Sequence, residues 1–287
     1  MNNWEPTEEQ LADWQTNGYF TIRGAIPRDN AIELRGVIKD FLLRPEPGLK
    51  TDADPMDPMG DTPQARAARF RKLSGFGPRL PLIWHHYYGS EAMTSVARYF
   101  LGDTIFLKFN SCFVKPARTG SATPWHQDNG LWRDGETEPF NFWMALDPAT
   151  TENGCLQFIP GSHKLGIIPH ILYEDSIHGE LPRDKVQQMI ADSGVEHCEL
   201  ESGDVVCWHS SICHYSPPNP SPHGRIAIAG VYSTPQITRR RQFPQPYYWV
   251  LRNGELCTAF PPEQADVTDV SWPGPFPAAE KTPAPVS

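Results

Sequence analysis

From residue 104 onward, short runs of β-forming residues alternate with turn signals, and this pattern constrains the fold more than any other feature of the chain. Strands of such length and spacing predict a β-sandwich or a β-barrel. The runs cover residues 105–114, 140–146, 155–159, 204–208 and 226–232. Residues 163–196 interrupt the runs with a polar, partly helical insertion.

The first hundred residues favour helices instead. Thr7-Glu8-Glu9-Gln10 has the pattern of a capping box, which predicts a helix that ends near Gly18. A short strand over residues 19–22 follows. Apolar residues at helical spacing then predict one helix over residues 27–43 and another over residues 91–101.

A single domain is the simplest account of this organisation. We expect it to cover residues 1–262, with a β core at about 104–235. Residues 44–66 are rich in Pro, Asp and Gly and predict a mobile loop or a lid over a site. The remaining Pro-rich tail, residues 263–287, is expected to be irregular, with its last dozen residues disordered.

The chain is acidic, with a formal net charge of −9 at pH 7. An acidic protein repels polyanions, so we expect no nucleic-acid partner, and an acyl-CoA substrate is not favoured. The basic run at residues 239–241 is short and typical of a solvated turn.

The sequence shows no secretory signal after Met1 and no apolar stretch that could span a bilayer. The six cysteines lack the paired Cys-x-x-Cys spacing of a zinc or redox motif. These features predict a cytoplasmic protein with reduced thiols and no membrane partner. We expect a monomer or a homodimer.

The stretch Trp125-His126-Gln127-Asp128 is the strongest candidate for a metal site. On an extended strand, residues two apart point to the same face, so His126 and Asp128 can converge. His214 can supply a third ligand, with His209 as its rival. Two His and one carboxylate on one face are the ligand set of non-haem Fe(II) oxygenases. The alternative is an accidental His-x-Asp pair, and His163, just beyond a turn, is interpreted as structural.

Arg225, at the start of the last β run, is the candidate for binding an anion. A planar guanidinium can hold a carboxylate with two hydrogen bonds, and Ser216 can donate one more. An arginine near an iron centre indicates a co-substrate that carries a carboxylate. The alternative is a surface salt bridge.

Over residues 105–232, the order and spacing of these motifs resemble those of the phytanoyl-CoA dioxygenase family of Fe(II)- and 2-oxoglutarate-dependent oxygenases. The resemblance implies a mainly β fold with flanking helices, a double-stranded β-helix of the jelly-roll or cupin-like type. The matching motifs are His126-x-Asp128, Asn153-Gly154-Cys155 running to Pro160-Gly161-Ser162-His163, Gly203-Asp204, and His214-x-Ser216 with Asn219, Ser221 and Arg225.

The same resemblance implies iron on His126, Asp128 and His214, which makes these three the expected catalytic residues. It implies that Arg225 and Ser216 bind the distal carboxylate of 2-oxoglutarate.

Three further co-substrate contacts are implied at Lys72, Trp143 and Asn110. For them, a surface lysine, a core aromatic and an ordinary strand residue are the competing interpretations.

The expected function is that of a 2-oxoglutarate-dependent non-haem iron dioxygenase, with Fe(II), 2-oxoglutarate and O2 as cofactor and co-substrates. We expect it to hydroxylate an unactivated C–H bond of a small, partly apolar metabolite or natural-product intermediate in secondary metabolism, with release of succinate and CO2. Because Asp128 is a carboxylate where halogenating relatives carry a small residue, chlorination is not expected.

Several alternatives stay open. The same iron centre could desaturate, epoxidise or close a ring. A non-oxygenase metal-binding protein, or a zinc hydrolase, could also use the fold. Nearby aromatic residues either wall a substrate pocket or belong to the core: Trp125, Trp132, Phe140, Trp208 and Tyr215.

Overall fold

The computed structural model describes six segments of the chain: residues 4–44, 50–53, 70–132, 140–238, 245–268 and 275–279. Its five labelled helices are α1 (Glu8–Thr16), α2 (Arg28–Leu43), α3 (Glu91–Leu101), α4 (Asp128–Trp132) and α5 (Arg183–Ser193). Shorter helical turns lie at Gly77–Arg79, Pro81–Ile83, Trp84–Tyr88, Thr151–Asn153 and Ser162–Leu165.

The strands form two antiparallel sheets. The first six are β1 (Tyr19–Ile22), β2 (Lys50–Ala53), β3 (Phe70–Ser74), β4 (Ile105–Lys115), β5 (Thr123–His126) and β6 (Phe140–Ala145). The others are β7 (Leu156–Phe158), β8 (Glu196–Cys198), β9 (Val205–His209), β10 (His214–Ser216), β11 (Arg225–Ser233), β12 (Tyr248–Arg252) and β13 (Glu255–Leu256). The larger sheet has the order β1-β9-β6-β11-β4-β12-β13, with β3 paired to β4 and β2 paired to β3. The smaller sheet has the order β5-β10-β7-β8.

Alternation along the central strands gives the larger sheet two different faces. On β11, Ile226 and Ile228 pack with the helices, whereas Ala227 and Ala229 pack between the sheets. Side chains on one face of a strand recur at every second residue, and this period sorts the two cores. The cluster that contains Ala227 and Ala229, which we call the inter-sheet cluster, also contains Leu156 of the smaller sheet. The space between the sheets is therefore where strands of both can present functional groups.

The predicted helices and strands are confirmed with small shifts of their ends. The capping box at α1 is present: the Thr7 hydroxyl accepts from the Gln10 backbone N–H at 3.2 Å, and the Gln10 side chain accepts from the Thr7 N–H at 3.0 Å. The mainly β, jelly-roll fold predicted from the sequence is confirmed. The extent of the domain, residues 1–262, stays a prediction.

Two regions that the sequence predicts as irregular have partners in the structure. Within the expected lid at residues 44–66, residues 50–53 form strand β2 and pair with β3, and most of the remainder lies outside the described residues. In the expected irregular tail, Pro277 and Ala279 exchange backbone hydrogen bonds with Leu172 of the insertion. The tail thus has a partner that local composition does not reveal. The basic run at residues 239–241 lies outside the described residues.

Candidate active site

His126, Asp128 and His214 converge at the edge of the smaller sheet. Antiparallel pairing of β5 with β10 sets His214 opposite His126. His126 Nε2 lies 3.8 Å from Asp128 Oδ1, and His214 Nε2 lies 3.9 Å from Asp128 Oδ2. One ligand atom of each residue lies within 4.8 Å of those of the other two. Such spacing suits three ligands of one metal ion.

The convergence of His126 and Asp128 arises differently from our expectation. They do not share one extended strand, because β5 ends at His126 and α4 begins at Asp128. The chain turns from strand to helix at Gln127, and this turn brings the carboxylate beside the imidazole. The predicted pair is therefore present, but the predicted geometry was wrong.

Backbone carbonyl groups orient both imidazole rings. His126 Nδ1 donates to Pro124 O at 2.7 Å, and His214 Nδ1 donates to Ile212 O at 3.2 Å. This orientation turns each Nε2 atom towards Asp128. Burial, together with the neighbouring rings of His214 and His178, holds the pKa of His126 well below its usual range. A neutral ring with a free Nε2 lone pair is the form that binds a metal.

Trp208 holds the carboxylate of Asp128, a role that the sequence did not suggest. Its indole Nε1 donates to Asp128 Oδ2 at 3.0 Å, from the end of β9. We had considered Trp208 only as a pocket wall or a core residue. Hydrogen bonds to a ligand carboxylate fix its orientation, so Trp208 positions Asp128 for metal binding.

The side chain of Gln127, between His126 and Asp128, connects the site to neighbouring segments through hydrogen bonds. Its Nε2 donates to Gly166 O at 2.8 Å and to Ser211 O at 2.6 Å, and its Oε1 accepts from the Ile168 N–H at 2.8 Å. The side chain is fully buried. One residue therefore joins the ligand strand, the insertion and the turn before His214, although nothing in the local sequence marks it.

Arg225 is a buried cation without an acidic partner. It is 2% exposed and, among the described residues, forms no salt bridge. It donates to Gly154 O and, at 2.9 Å, to the Ser216 hydroxyl, while its Nε has no hydrogen-bond partner. Burial lowers the pKa of Arg225 to about 10, so the group stays charged at neutral pH. The nearby Asp147 is engaged instead with Arg35 at 2.6 Å.

Ser216 and Trp143 both contact the Arg225 guanidinium. The Ser216 hydroxyl donates to Gly154 O at 3.0 Å and accepts from Arg225. The Trp143 ring centroid lies 5.2 Å from the Arg225 Cζ atom. The structure thus groups the predicted arginine and tryptophan of the larger sheet with the predicted serine of the smaller sheet.

Lys72 also lies on the inner face of the larger sheet. Its Nζ is 4.9 Å from the ring centroid of Phe109 and 5.4 Å from that of Phe113. Phe113 packs on the inter-sheet cluster that contains Trp143. Lys72 therefore lies on the side of the sheet that the sequence predicted, and its role as a co-substrate contact stays a prediction.

Asn110 lies on the opposite face of β4. It pairs with Gly230, whereas the neighbouring Ser111 pairs with Ala229 of the inner face. Its Oδ1 accepts from the Gly77 N–H at 3.1 Å. Because the register turns Asn110 towards the helices, we withdraw it from the expected co-substrate contacts.

The remaining candidate residues lie outside the metal-ligand group. Among the described residues, only the group of His126, Asp128 and His214 has three or more His, Cys, Asp or Glu with ligand spacing. His209 is thus not the third member, and His163 packs beside His209 with ring centroids 5.4 Å apart. All six cysteines are unpaired.

The donor set fits a ferrous ion, and the buried Arg225 fits a carboxylate. Two neutral imidazoles and a carboxylate on one side are suited to iron with open positions. The unpaired guanidinium in the same interior suits the far end of a dicarboxylic keto acid. Within the described residues, no helix has the length and apolar character of a membrane span.

Comparison with known proteins finds relatives whose names refer to different substrates. The L-proline trans-4-hydroxylase of Streptomyces griseoviridis is 29% identical over 50% of this chain and 59% of its own length. The peroxisomal phytanoyl-CoA dioxygenase of Rattus norvegicus is 26% identical over 79% of this chain and 68% of its own. The chain spans about half the length of the first curated relatives that it matches.

A solved structure with the same fold is that of EctD from S. alaskensis with 2-oxoglutarate and 5-hydroxyectoine. It has a TM-score of 0.66 and 21% identity, and the match covers 83% of this chain and 79% of that one. The family model described as phytanoyl-CoA dioxygenase (PhyH) matches residues 14–227, well over half of the chain. The motifs, the fold and this match agree, and the chain belongs to the phytanoyl-CoA dioxygenase (PhyH) family.

Proposed function

We propose that the protein is an Fe(II)- and 2-oxoglutarate-dependent dioxygenase that hydroxylates an unactivated C–H bond of a small, partly apolar metabolite. The reaction would consume O2 and release succinate and CO2. One observation carries the proposal: a His-Asp-His group with ligand spacing and a buried arginine that forms no salt bridge with any described residue share one interior. The cytoplasmic location and the role in secondary metabolism stay predictions.

His126, Asp128 and His214 would hold the iron. When bound, iron and 2-oxoglutarate together supply an oxidant that can attack an unactivated C–H bond. The protein's own part is to orient both rings through hydrogen bonds from Nδ1 to backbone carbonyls, and to hold the carboxylate through Trp208. These contacts fix the ligand atoms before the metal arrives.

Arg225 would bind the distal carboxylate of 2-oxoglutarate. A buried charge costs several kcal/mol unless it is paired, so the site is suited to an anion. Ser216 and the Gly154 carbonyl fix the guanidinium, and Trp143 lies against it. A zinc hydrolase on the same ligands would leave this arrangement without a purpose, which favours the oxygenase.

The proposed substrate is small and partly apolar. The inner face of the larger sheet carries Phe113 and Trp143 beside Lys72. Relatives are named for a proline hydroxylase, an ectoine dioxygenase and phytanoyl-CoA dioxygenases, so the family name alone does not choose a substrate. The net charge of −9 disfavours the polyanionic acyl-CoA among these.

The first experiment measures succinate formed from 2-oxoglutarate with Fe(II), ascorbate and O2. We expect slow turnover without substrate and its loss in Asp128→Ala, because the variant removes a ligand. Asp192→Ala, which changes an exposed aspartate, is the matched control and should retain turnover. Tight zinc binding with no succinate from the wild type would contradict the proposal.

A second experiment tests the substrate class. L-proline, ectoine and phytanoyl-CoA are each added to the assay, and the rate of succinate formation is compared with the rate without them. We expect stimulation by a small metabolite, with a product that has gained one oxygen atom by mass spectrometry. Stimulation by phytanoyl-CoA alone would overturn the small-metabolite assignment, and loss of two hydrogens would indicate desaturation.

A further inference from the structure

Residues 170–181 form a closed loop beside the metal-ligand group, which we call the His178 loop. Its base is closed by two backbone hydrogen bonds between Ile171 and Glu180, of 2.8 and 2.9 Å. Arg183, at the start of α5, bridges Asp175 and Glu180 of the loop, each at 2.7 Å. These contacts give the loop a defined shape.

Both ends of the His178 loop are fastened to the strand that carries His126. At one end, His170 Nε2 accepts from the Gln127 N–H at 3.0 Å. At the other end, the Leu181 N–H donates to Trp125 O at 2.8 Å. The two anchors are the residues immediately before and after His126, so the loop cannot shift without moving this ligand.

Near the base of the loop, two residues before Glu180, His178 packs edge-on against His126. The ring centroids are 5.0 Å apart and the planes are inclined by 66°. His178 Nδ1 donates to Gly179 O at 2.7 Å, which fixes the ring. His178 lies outside the group with ligand spacing, so it contacts a ligand without being one. Edge-to-face ring contacts of this kind are favourable and directional.

The tail segment, residues 275–279, braces the loop from the other side. The Leu172 N–H donates to Pro277 O at 2.8 Å, and the Ala279 N–H donates to Leu172 O at 3.0 Å. Phe276 lies so close to Gly179 that a Cβ atom there would come within 2.7 Å of its ring. The tail therefore packs directly on the residue that follows His178.

We propose that His178 is a positioning residue of the metal centre, which acts through the ring of His126, and that the tail segment keeps it there. The inference rests on the proposed function, since it requires iron on His126. It assigns a role in the active site to the Pro-rich tail, which the sequence pattern marked as irregular.

The test is anaerobic Fe(II) binding by His178→Ala, Phe276→Ala and the double variant. We expect His178→Ala to weaken Fe(II) binding about 3- to 10-fold, the equivalent of one edge-to-face ring contact. His178→Phe keeps the ring and should restore the affinity. Phe276→Ala should weaken binding less, and the double variant no more than His178→Ala, because both act through one contact.

Two controls separate positioning from general stability. His197→Ala changes an exposed histidine, and Phe260→Ala changes a C-terminal aromatic that contacts His85 rather than the loop. Both should bind Fe(II) as the wild type does, and the melting temperature of metal-free His178→Ala should be unchanged.

Unchanged Fe(II) affinity in His178→Ala, or no rescue by His178→Phe, would overturn the inference. Additive effects of His178→Ala and Phe276→Ala would overturn the role of the tail. A wild-type protein that binds no Fe(II) would instead reject the proposed function itself, so the two failures are distinguishable.

Discussion

The guanidinium of Arg225 is buried and charged, and it forms no salt bridge within the described part of the chain, a state that is costly unless a ligand compensates it. Two hydrogen bonds, to Gly154 O and the Ser216 hydroxyl, direct the group, but neither partner carries a negative charge. Its Nε has no partner. A carboxylate would supply the missing charge, and its two oxygens match the fork of the guanidinium.

Replacing Arg225 by lysine tests this reasoning, because lysine keeps the charge and loses the fork. We expect KM for 2-oxoglutarate to rise about 10- to 100-fold, in line with the loss of a charge-assisted hydrogen bond. Fe(II) affinity should be unchanged. Arg183→Lys, on the exposed side of the His178 loop, is the control for the substitution itself, and an unaltered KM in Arg225→Lys would contradict the assignment.

Trp208 allows a second test at a single hydrogen bond. Trp208→Phe removes the Nε1–H that donates to Asp128 Oδ2 and keeps most of the ring. Loss of this hydrogen bond to the carboxylate of a metal ligand should weaken Fe(II) binding about 10-fold. Trp249→Phe is a matched control, since its buried Nε1 has no hydrogen-bond partner. Equal affinities in the two variants, measured by Fe(II) titration, would count against the role of Trp208.

At the scale of elements, the sequence predicted what depends on local periodicity. The capping box of α1 and the alternating strands β4, β6 and β11 follow from residues that are close in sequence. The motifs also named the residues that converge: His126, Asp128 and His214. The helices and strands needed only spacing along the chain, whereas the choice of His214 over His209 came from the resemblance to the family.

The predictions that were wrong depended on pairing between distant strands. The face of Asn110 is set by the register of β4 against β11, where Arg225 pairs with Lys115. A shift of one residue would have turned Asn110 inwards, and the sequence does not specify that register. The contact of the tail with Leu172 was not predicted for the same reason, because Leu172 lies about a hundred residues earlier. The irregular character expected of residues 263–287 stays a prediction.

Gln127 gives a prediction at this scale, because it joins three segments from inside the protein. Gln127→Ala would leave the buried Ile168 N–H and two carbonyl groups without partners. Each unsatisfied buried group costs about 1–3 kcal/mol, so we expect the free energy of unfolding to fall by about 2–4 kcal/mol. Urea denaturation of the metal-free wild type and variant measures this difference in the free energy of unfolding.

The exposed Gln188 provides the matched comparison for this experiment. Its side chain bonds only to Asp192 on the same helix, at 2.9 Å. Gln188→Ala should change the free energy of unfolding by less than about 0.5 kcal/mol. A loss in Gln127→Ala no larger than in Gln188→Ala would show that the three hydrogen bonds do not hold the segments together.

At the scale of the whole molecule, the site is divided between the two sheets. The two histidines belong to strands of the smaller sheet, whereas Arg225 and Trp143 belong to the larger. The inter-sheet core holds the two halves in register. A keto acid bound to both the metal and Arg225 would therefore connect the sheets, which explains why the jelly roll suits this chemistry.

The stability of the metal-free protein should depend on pH through buried neutral histidines, of which His170 is the clearest. It is 3% exposed, and burial lowers its pKa to about 4. The unfolded chain has a histidine pKa of about 6.5, so between these values the unfolded state binds more protons. The free energy of unfolding is then fully retained above about pH 6.5 and decreases as the pH falls towards about 4.

We expect urea denaturation at about pH 7 and about pH 5 to differ by about 2 kcal/mol for His170 alone, at 1.36 kcal/mol per pKa unit. His170→Asn should reduce this difference, because asparagine does not titrate. His197→Asn, at an exposed position, should keep the wild-type difference. The same pH dependence in wild type and His170→Asn would show that His170 is not protonated on unfolding in this range. In that case, burial of the ring would not be what excludes the proton.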